Sequence, residues 1–265
     1  MSPFCIEGPA IVNFSGGRTS GLMLRRILDE GLRPDVHVVF ANTGKERVET
    51  LDFVHEVEQR WPVTVHWVEF DPATKYRVVN FETASRNGEP FDAMIAKKGR
   101  LPNALHRICT QYLKVVPMQA FTRERLGLTD WTSVVGIRYD EPKRWRILGQ
   151  DKRSPHVFKV APLKDAKVTV RDVMAFWAAS PFDLQLKPDE GNCDLCFMKG
   201  IRKREMVIRA HPHLATWWAR HESQSGHVFR RDTPDYATLQ RLAERQPDLF
   251  DGDDPTDIFE CLCHD

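Results

Sequence analysis

Two hydrophobic periods alternate along the first part of the sequence and restrict the fold more than any other feature. Apolar runs of strand length occur at 10–14, 35–41 and 63–70. Between them, residues 21–30 and 45–61 carry apolar side chains at helical spacing, and a glycine or a proline follows each segment. Strands and helices that alternate over short links give parallel strand pairs, because each helix must pack back on the sheet that its strand left. The pattern therefore predicts an α/β fold with a doubly wound parallel sheet.

Length and composition are those of a globular protein with one main domain. The 265 residues are 42% hydrophobic and 28% charged, which is enough apolar material for a sizeable core. We expect the α/β domain over residues 1–185 and a smaller, mainly helical region with cysteines over 186–265. The 38 Lys and Arg against 37 Asp and Glu leave a net charge of +1, which excludes a protein that coats nucleic acid through bulk charge.

Neither a membrane span nor a secretory leader is visible in the sequence. No apolar stretch approaches the roughly 18 residues that a spanning helix needs, and no basic segment with an apolar core opens the chain. We therefore expect a cytoplasmic protein with no membrane partner. In that compartment the six cysteines are more naturally thiols, metal ligands or redox groups than structural disulfides.

A short polar loop, "SGGRTS", lies between the first strand and the first helix. Adjacent glycines let the backbone approach a phosphate closely, and the following helix presents unpaired amides and a favourable dipole. Hydroxyl groups and one arginine could add further contacts. A plain turn that caps the helix is the alternative, but the parallel sheet around the loop favours a phosphate site. The candidate phosphate-binding residues are Ser15, Gly16, Gly17, Arg18, Thr19 and Ser20.

This loop resembles the S-G-G-x-x-S pyrophosphate loop of the adenine-nucleotide-binding superfamily, which includes the ATP pyrophosphatases and the phosphoadenosine phosphosulfate (PAPS) reductases. Over about residues 10–200, "NTGKE", "RICTQYLKVVP", "VGIRYDEPKR" and "PLKDAKVTVRDVMAFW" resemble the successive blocks of the PAPS reductase family. The segments "ASRNGEPFDAMI" and "GNCDLCFMKG" are most similar to members carried by phages and prophages. The resemblance implies an adenine nucleotide alpha hydrolase-like (HUP-type) fold and, for a phage-encoded chain, a location in the host cytoplasm.

The resemblance also implies further nucleotide contacts and a cofactor. Asn42, Thr43 and Gly44, after the second strand, would lie beside the adenosine of ATP or a related adenine nucleotide. Gly136 and Arg138 would close over that nucleotide, with Arg138 contacting phosphate and taking part in catalysis. A solvated basic loop that includes Lys143 and Arg144 is the alternative for Arg138. Mg²⁺ is an optional companion, because ATP pyrophosphatases usually carry Asp where this chain has Thr19.

The cysteines form a second set of candidate residues. Cys193 and Cys196 have the C-x-x-C spacing that lets two thiolates reach one metal centre, and Cys109 lies upstream. This layout is similar to that of the iron–sulfur branch of the reductases, with Ile108 in the place of one further cysteine. The resemblance implies a [4Fe-4S] cluster with an open iron site or with a fourth ligand, for which Cys263 is our candidate and Cys5 and Cys261 are alternatives. Zinc and metal-free thiols remain alternatives to the cluster.

The tail "ECLCH" raises the question of a nucleophile. It is similar to the E-C-G-[IL]-H tail whose cysteine attacks the sulfate sulfur in sulfonucleotide reductases. The match implies Cys261 as a catalytic nucleophile and His264 as its charge or proton partner. Leu262 replaces the glycine of that motif, so a metal-ligand role and no role are alternatives for Cys261.

Three functions follow from these observations. The first is an ATP-dependent enzyme that transfers sulfur from a thiol or other sulfur donor to a nucleic-acid or nucleotide acceptor. The second is a sulfonucleotide (PAPS or adenosine phosphosulfate) reductase that forms sulfite through Cys261, and the third is a non-catalytic nucleotide-binding module. Trp217, Trp218 and Arg220 could stack on a nucleic-acid strand, but we favour core tryptophans for this pair.

Overall fold

A computed structural model describes residues 2–148, 156–187 and 190–245 of the chain. Within these residues, six strands form one sheet in the order β4-β3-β2-β1-β5-β6. All neighbouring strands pair in parallel except β3 and β4, which are antiparallel. The strands are β1 Ala10–Asn13, β2 Val36–Asn42, β3 Val65–Glu69, β4 Arg77–Val79, β5 Trp131–Val134 and β6 Val157–Val160. The α/β class and the parallel central sheet are confirmed, whereas the edge strands β4, which is antiparallel, and β6 were not predicted.

The strand order reverses on either side of β1. Ala10 is in register with Val36 of β2 on one side and with Thr132 of β5 on the other. The chain first moves outward from β1 through β2 to β3, and later returns to place β5 on the free side of β1. Ligands of open α/β sheets bind at the carboxyl edge beside such a reversal. The crevice between the loops after β1 and β5 is therefore the favoured ligand position.

Helices cover the sheet and build a separate C-terminal layer. The helix that begins after Thr169 opens with a capping box between Thr169 and Asp172. A π-helical segment, Thr110–Val115, runs directly into an α-helix that has Pro117 in its first turn. The α-helices are α1 Arg18–Glu30, α2 Val48–Arg60, α3 Glu89–Lys98, α4 Val116–Glu124, α5 Pro142–Trp145, α6 Pro162–Asp165, α7 Val170–Ala178, α8 Ile201–Ala210, α9 Leu214–Ser225 and α10 Tyr236–Arg245.

The largest core packs helices α1, α2 and α7 on one face of the sheet. Trp177 of α7 is central to it, with its ring 5.0 Å from that of Phe53 in α2. The Trp177 indole N–H also donates to the carbonyl oxygen of Arg18 at 2.7 Å, which satisfies a polar group that would otherwise be buried without a partner. Helix α7 thereby fixes the first turn of α1, where the predicted phosphate-binding loop (residues 15–20, the phosphate loop) ends.

A second core joins the C-terminal helices to residues 91–113. Trp218 is completely inaccessible and Trp217 is 8% exposed, and both pack against Phe91 of α3. The interpretation of these tryptophans as core residues is confirmed, so they offer no surface on which bases could stack. Among the described residues, no helix is long and apolar enough to cross a membrane.

Candidate functional site at the carboxyl edge of the sheet

Gly16 gives the loop after β1 its tight path. Its φ is +73°, a left-handed conformation that glycine adopts without steric cost. A Cβ atom at this position would lie 2.7 Å from Thr50 Cγ2 and 2.9 Å from Val54 Cγ2, both in α2. Those distances are shorter than carbon atoms tolerate, so the loop reaches its position against α2 only with glycine.

The start of α1 offers main-chain donors at this edge. The amides of Gly17, Arg18 and Thr19 donate no hydrogen bond to any described residue, as expected for the first turn of a helix. The Ser15 and Ser20 hydroxyls instead contact one another at 2.8 Å, and Ser20 Oγ donates to the carbonyl of Gly17 at 3.0 Å. The two serines hold the shape of the loop, while the three amides and the helix dipole favour an anion.

Arg18 is directed away from a phosphate in this loop. Its guanidinium forms a bidentate pair with Asp183, at 2.8 Å from Nε to Oδ1 and from Nη2 to Oδ2. Nη2 also donates to the carbonyls of Leu184 and Leu186. Arg18 was predicted to add charge to the phosphate site, and in the structure it attaches the segment after α7 to the start of α1.

The loop after β5 meets the phosphate loop at the point where the strand order reverses. Gly136 packs on Ser20 so closely that a Cβ atom there would lie 3.2 Å from Ser20 Cα. Arg138 Nη1 donates to Thr19 Oγ1 at 3.1 Å. The structure thus brings together two groups of predicted site residues that lie more than a hundred positions apart in the sequence.

Acidic neighbours hold Arg138 in place. Its Nε lies 2.9 Å from Asp140 Oδ1, and its Nη1 lies 3.5 Å from Glu141 Oε2. Glu141 Oε1 also pairs with Arg144 at 2.6 Å, and Arg144 is 7% exposed. Arg138 and Arg144 are therefore parts of a paired network at the site, not members of a solvated basic loop.

Asn42 shapes the turn after β2. Its side chain is inaccessible, and its Nδ2 donates to Glu69 Oε1 at 2.6 Å and to the carbonyl of Ser85 at 2.8 Å. Its Oδ1 accepts the amide of Gly44 at 3.0 Å. Since Asn42 is inaccessible and both of its Nδ2 hydrogens have partners within the protein, the residue positions Thr43 and Gly44 at the sheet edge and has no donor left for a nucleotide.

Three predicted metal-ligating cysteines line one cavity. Cys109 comes from the start of the π-helical segment, and Cys193 and Cys196 come from the loop before α8, which we call the cysteine loop (residues 192–199). The remaining wall is mainly apolar, with Phe91, Phe197, Met198 and Trp218. In the described parts of the chain, no three His, Cys, Asp or Glu side chains converge closely enough to hold a single metal ion.

Charged groups surround this cavity. Burial raises the pKa of the Cys109 thiol, and the amide of Thr110 and the cations Lys114 and Arg107 oppose that rise only in part. Lys199 is 2% exposed, and its ammonium group donates to the carbonyls of Cys193 and Asp194 at 2.9 and 2.7 Å. A buried ammonium group thus fixes the cysteine loop through two main-chain hydrogen bonds.

A larger cavity of about 440 Å³ adjoins the cysteine cavity. Asn13 of β1 and Ser133 of β5 line it, so it opens beside the reversal of strand order. Arg107, Thr110 and Lys114 line both cavities. Arg107 and Lys114 therefore border a ligand in either cavity.

Several residues of the site were not singled out from the sequence. Glu69 and Asn192 carried a usable signal, since Glu69 ends a strand at the carboxyl edge and Asn192 directly precedes Cys193. Asp183 and Lys199 carried none, because their partners are main-chain groups or lie far along the chain.

The predictions for Cys261, Cys263 and His264 fall outside the described residues. Cys5 is exposed, precedes β1 at the opposite edge and does not line the cysteine cavity.

Comparisons with known proteins agree with this architecture. Residues 9–183 match the family described as phosphoadenosine phosphosulfate reductase domain. An uncharacterized nin region protein of Escherichia phage lambda, ORF290, is 35% identical over 204 residues, which are 73% of this chain and 67% of that protein. Protein MJ0066 of Methanocaldococcus jannaschii is 31% identical over 133 residues, which are 50% of this chain but 23% of that protein.

The structural comparison gives a more distant neighbour. A crystal structure of phosphoadenylyl-sulfate (PAPS) reductase from Candida auris, in a phosphate complex, aligns with a TM-score of 0.45 and 20% identity. The alignment covers 69% of this chain and 82% of that one. The match over residues 9–183 and the similarity to the phage protein decide the family. The chain belongs to the phosphoadenosine phosphosulfate reductase family, and the predicted likeness to phage-carried members is confirmed.

Proposed function

We propose that this protein is an enzyme of sulfur metabolism that binds ATP or a related adenine nucleotide and delivers sulfur to a nucleic-acid or nucleotide acceptor. The observation that carries the proposal is the junction of the two cavities, where Arg107, Thr110 and Lys114 line both the larger cavity and the cysteine cavity. A substrate activated at the carboxyl edge would meet the sulfur-bearing centre without leaving the protein, which is the proximity that group transfer requires.

The phosphate loop supports the nucleotide part of the proposal. The amides of Gly17, Arg18 and Thr19 and the dipole of α1 would bind the phosphates, and Arg138 would contact them from the loop after β5. Arg138 is now paired with Asp140, so phosphate oxygens would compete with that carboxylate for its guanidinium. No carboxylate lies within the loop 15–20, so Mg²⁺ would be held chiefly by the phosphate oxygens of the nucleotide.

The donor set of the cysteine cavity supports an iron–sulfur cluster. Three cysteine side chains line one largely apolar cavity, and in a cluster each cysteine binds a different iron atom. Cys109, Cys193 and Cys196 would hold the cluster, with Cys263 as the candidate fourth ligand. When bound, the cluster would supply the redox and sulfur-carrying chemistry. The alternative to a fourth protein ligand is a three-cysteine set that would leave one iron open to a sulfide or a thiol donor.

A sulfonucleotide reductase is the second candidate. The observation that favours it is the pair of cations Arg107 and Lys114 at the junction of the cavities, which would neutralise a sulfate group held beside the cysteines. A thiolate at Cys261 would attack the sulfur of the phosphosulfate, break its bond to the bridging oxygen and release the nucleotide phosphate. An external thiol would then displace sulfite from the resulting thiosulfonate.

Two reactions run side by side separate the candidates. Anaerobically purified protein is incubated with ATP and, in parallel, with adenosine phosphosulfate and its 3′-phosphorylated form in the presence of a thiol, and pyrophosphate and sulfite are measured. We expect pyrophosphate release from ATP. Sulfite release that is lost in Cys261→Ser would instead establish the reductase, and neither product would contradict both candidates.

Iron and sulfide analysis tests the cluster. We expect iron and acid-labile sulfide in the purified protein and their loss in Cys193→Ser. Cys5→Ser is the matched control, because Cys5 is exposed and does not line the cavity. Stoichiometric zinc in a colourless wild-type protein would exclude the cluster.

A further inference from the structure

The Asn192 side chain lies against the phosphate loop. Its Nδ2 donates to the carbonyl oxygen of Ser15 at 2.8 Å. A Cβ atom at Gly17 would lie 3.1 Å from the same nitrogen and 3.5 Å from Asn192 Oδ1. Asn192 therefore holds the residue before the glycine pair and fills the space beside Gly17, although it lies far from both in the sequence.

The main chain of Asn192 belongs to a different part of the site. Its carbonyl accepts the amide of Arg47 at 2.7 Å, and the amide of Asp194 donates to the carbonyl of Lys45 at 2.9 Å. These two bonds flank an antiparallel bridge between Cys193 and the segment after β2. One residue thus contacts the phosphate loop through its side chain and begins the cysteine loop through its main chain.

The cysteine loop is held too firmly to absorb a displacement of Asn192 locally. Asp194 pairs with Lys45 at 2.7 Å, with side-chain exposures of 4% and 7%. The indole N–H of Trp218 also donates to Asp194 at 2.9 Å. Packed and hydrogen-bonded groups transmit small shifts to their neighbours, so a movement of Asn192 would reach Cys193 directly.

We propose that Asn192 is a positioning residue that couples occupation of the phosphate loop to the conformation of the cysteine loop. The inference rests on the proposed function, because it requires an adenine nucleotide at residues 15–20. Phosphates bound by the amides of Gly17 and Thr19 fix the peptide groups of the loop, including the Ser15 carbonyl that holds Asn192. Coupling between two sites is reciprocal, so the cysteine loop also influences nucleotide affinity. One neutral hydrogen bond corresponds to an effect of about fivefold.

Hydrogen–deuterium exchange with and without saturating ATP tests this coupling on the protein as purified. In the wild type, ATP should slow exchange in peptides from both the 15–20 loop and the 192–199 loop, the latter by about fivefold. In Asn192→Ala, ATP should still protect 15–20 and should no longer protect 192–199. Asn192→Asp, which keeps the shape and lacks the donor, should behave like the alanine variant and covers the case in which alanine impairs folding.

Glu190→Gln is the matched control. Glu190 lies two positions before Asn192, and its Oε1 forms an ion pair with Arg47 Nη1 at 3.5 Å. It makes none of the contacts with the phosphate loop described above for Asn192. We expect this variant to keep the wild-type response. A purely structural role for Asn192 would raise exchange equally with and without ATP and leave the difference intact.

The outcomes distinguish the inference from the function on which it rests. If ATP protects 15–20 in all variants, and 192–199 responds equally in the wild type and Asn192→Ala, the coupling through Asn192 is wrong while the nucleotide site stands. If ATP protects neither peptide in the wild type, the nucleotide site itself is wrong and the inference falls with it.

Discussion

Gly16→Ala tests whether the phosphate loop is held by close packing on α2. The left-handed φ of +73° costs an alanine about 1–2 kcal/mol. The new Cβ would also lie 2.7 Å from Thr50 Cγ2 and 2.9 Å from Val54 Cγ2. Overpacking of this kind in a close-packed region costs about 1–3 kcal/mol. From the sum of the conformational and overpacking costs, we expect Gly16→Ala to lower the free energy of unfolding by about 2–5 kcal/mol.

Gly127→Ala separates the two contributions. Gly127 has a φ of +71°, and nothing lies within 4 Å of the Cβ position. Its alanine variant therefore incurs the conformational cost without the clash. The difference between the two variants, about 1–3 kcal/mol, measures the packing of the loop on α2. For a chain of this size that difference corresponds to about 2–4 °C in Tm for each kcal/mol.

Thr50→Ser identifies the atom responsible. The serine lacks Cγ2, the atom nearest to the new methyl group, so the Gly16→Ala/Thr50→Ser double variant should be more stable than the sum of the single effects predicts. Urea unfolding followed by circular dichroism gives all four free energies. If Gly16→Ala costs no more than Gly127→Ala, or if Thr50→Ser recovers nothing, close packing does not hold the loop.

Three further substitutions test the charges of the structure. Asp194→Asn leaves Lys45 buried without its carboxylate and should lower the free energy of unfolding by about 3–5 kcal/mol, whereas Asp29→Asn, at an exposed ion pair, should change it by less than about 1 kcal/mol in urea unfolding. Burial, assisted by His37, lowers the pKa of His66 below its usual 6.5. As the pH falls below 6.5 the unfolded chain binds this proton more readily than the folded one, so the wild type should lose stability relative to His66→Phe between pH 8 and 5. A stability difference that stays constant with pH would contradict this assignment.

The sequence was sufficient for the central sheet because its signals are local. Buried strands such as 35–41 and helical stripes such as 45–61 each follow a period that the strand or helix imposes on its own residues. The antiparallel edge strand β4 spans only Arg77–Val79 and is mostly exposed, so it is too short to show a hydrophobic periodicity. The π-helical segment at Thr110–Val115 was equally hidden, because its spacing differs little from that of an α-helix over one turn.

The loops that form the site could be predicted from the sequence, but which of their residues support the structure and which remain available to a ligand could not. The positions of Ser20 and Gly136 followed from the rule that parallel strands end at one edge, and these residues do meet. The engagement of Arg18 by Asp183 depends on a contact across 165 positions, which no local pattern encodes. The same holds for Asn42, whose partners Glu69 and Ser85 convert an apparent ligand into a support for the turn.

The difference between residues that support the site and groups that remain available to a ligand has a physical origin. Residues that bind a substrate must keep donors available, whereas polar residues buried near a site must find partners within the protein. At this edge the polar side chains Arg18 and Asn42 have such partners, whereas the amides of Gly17 and Thr19 have none among the residues that the structure describes. An anion bound here would therefore meet main-chain donors first, and the geometry of those donors depends on Gly16. That dependence is why a methyl group at Gly16 should disturb the site more than the loss of the Arg18 charge.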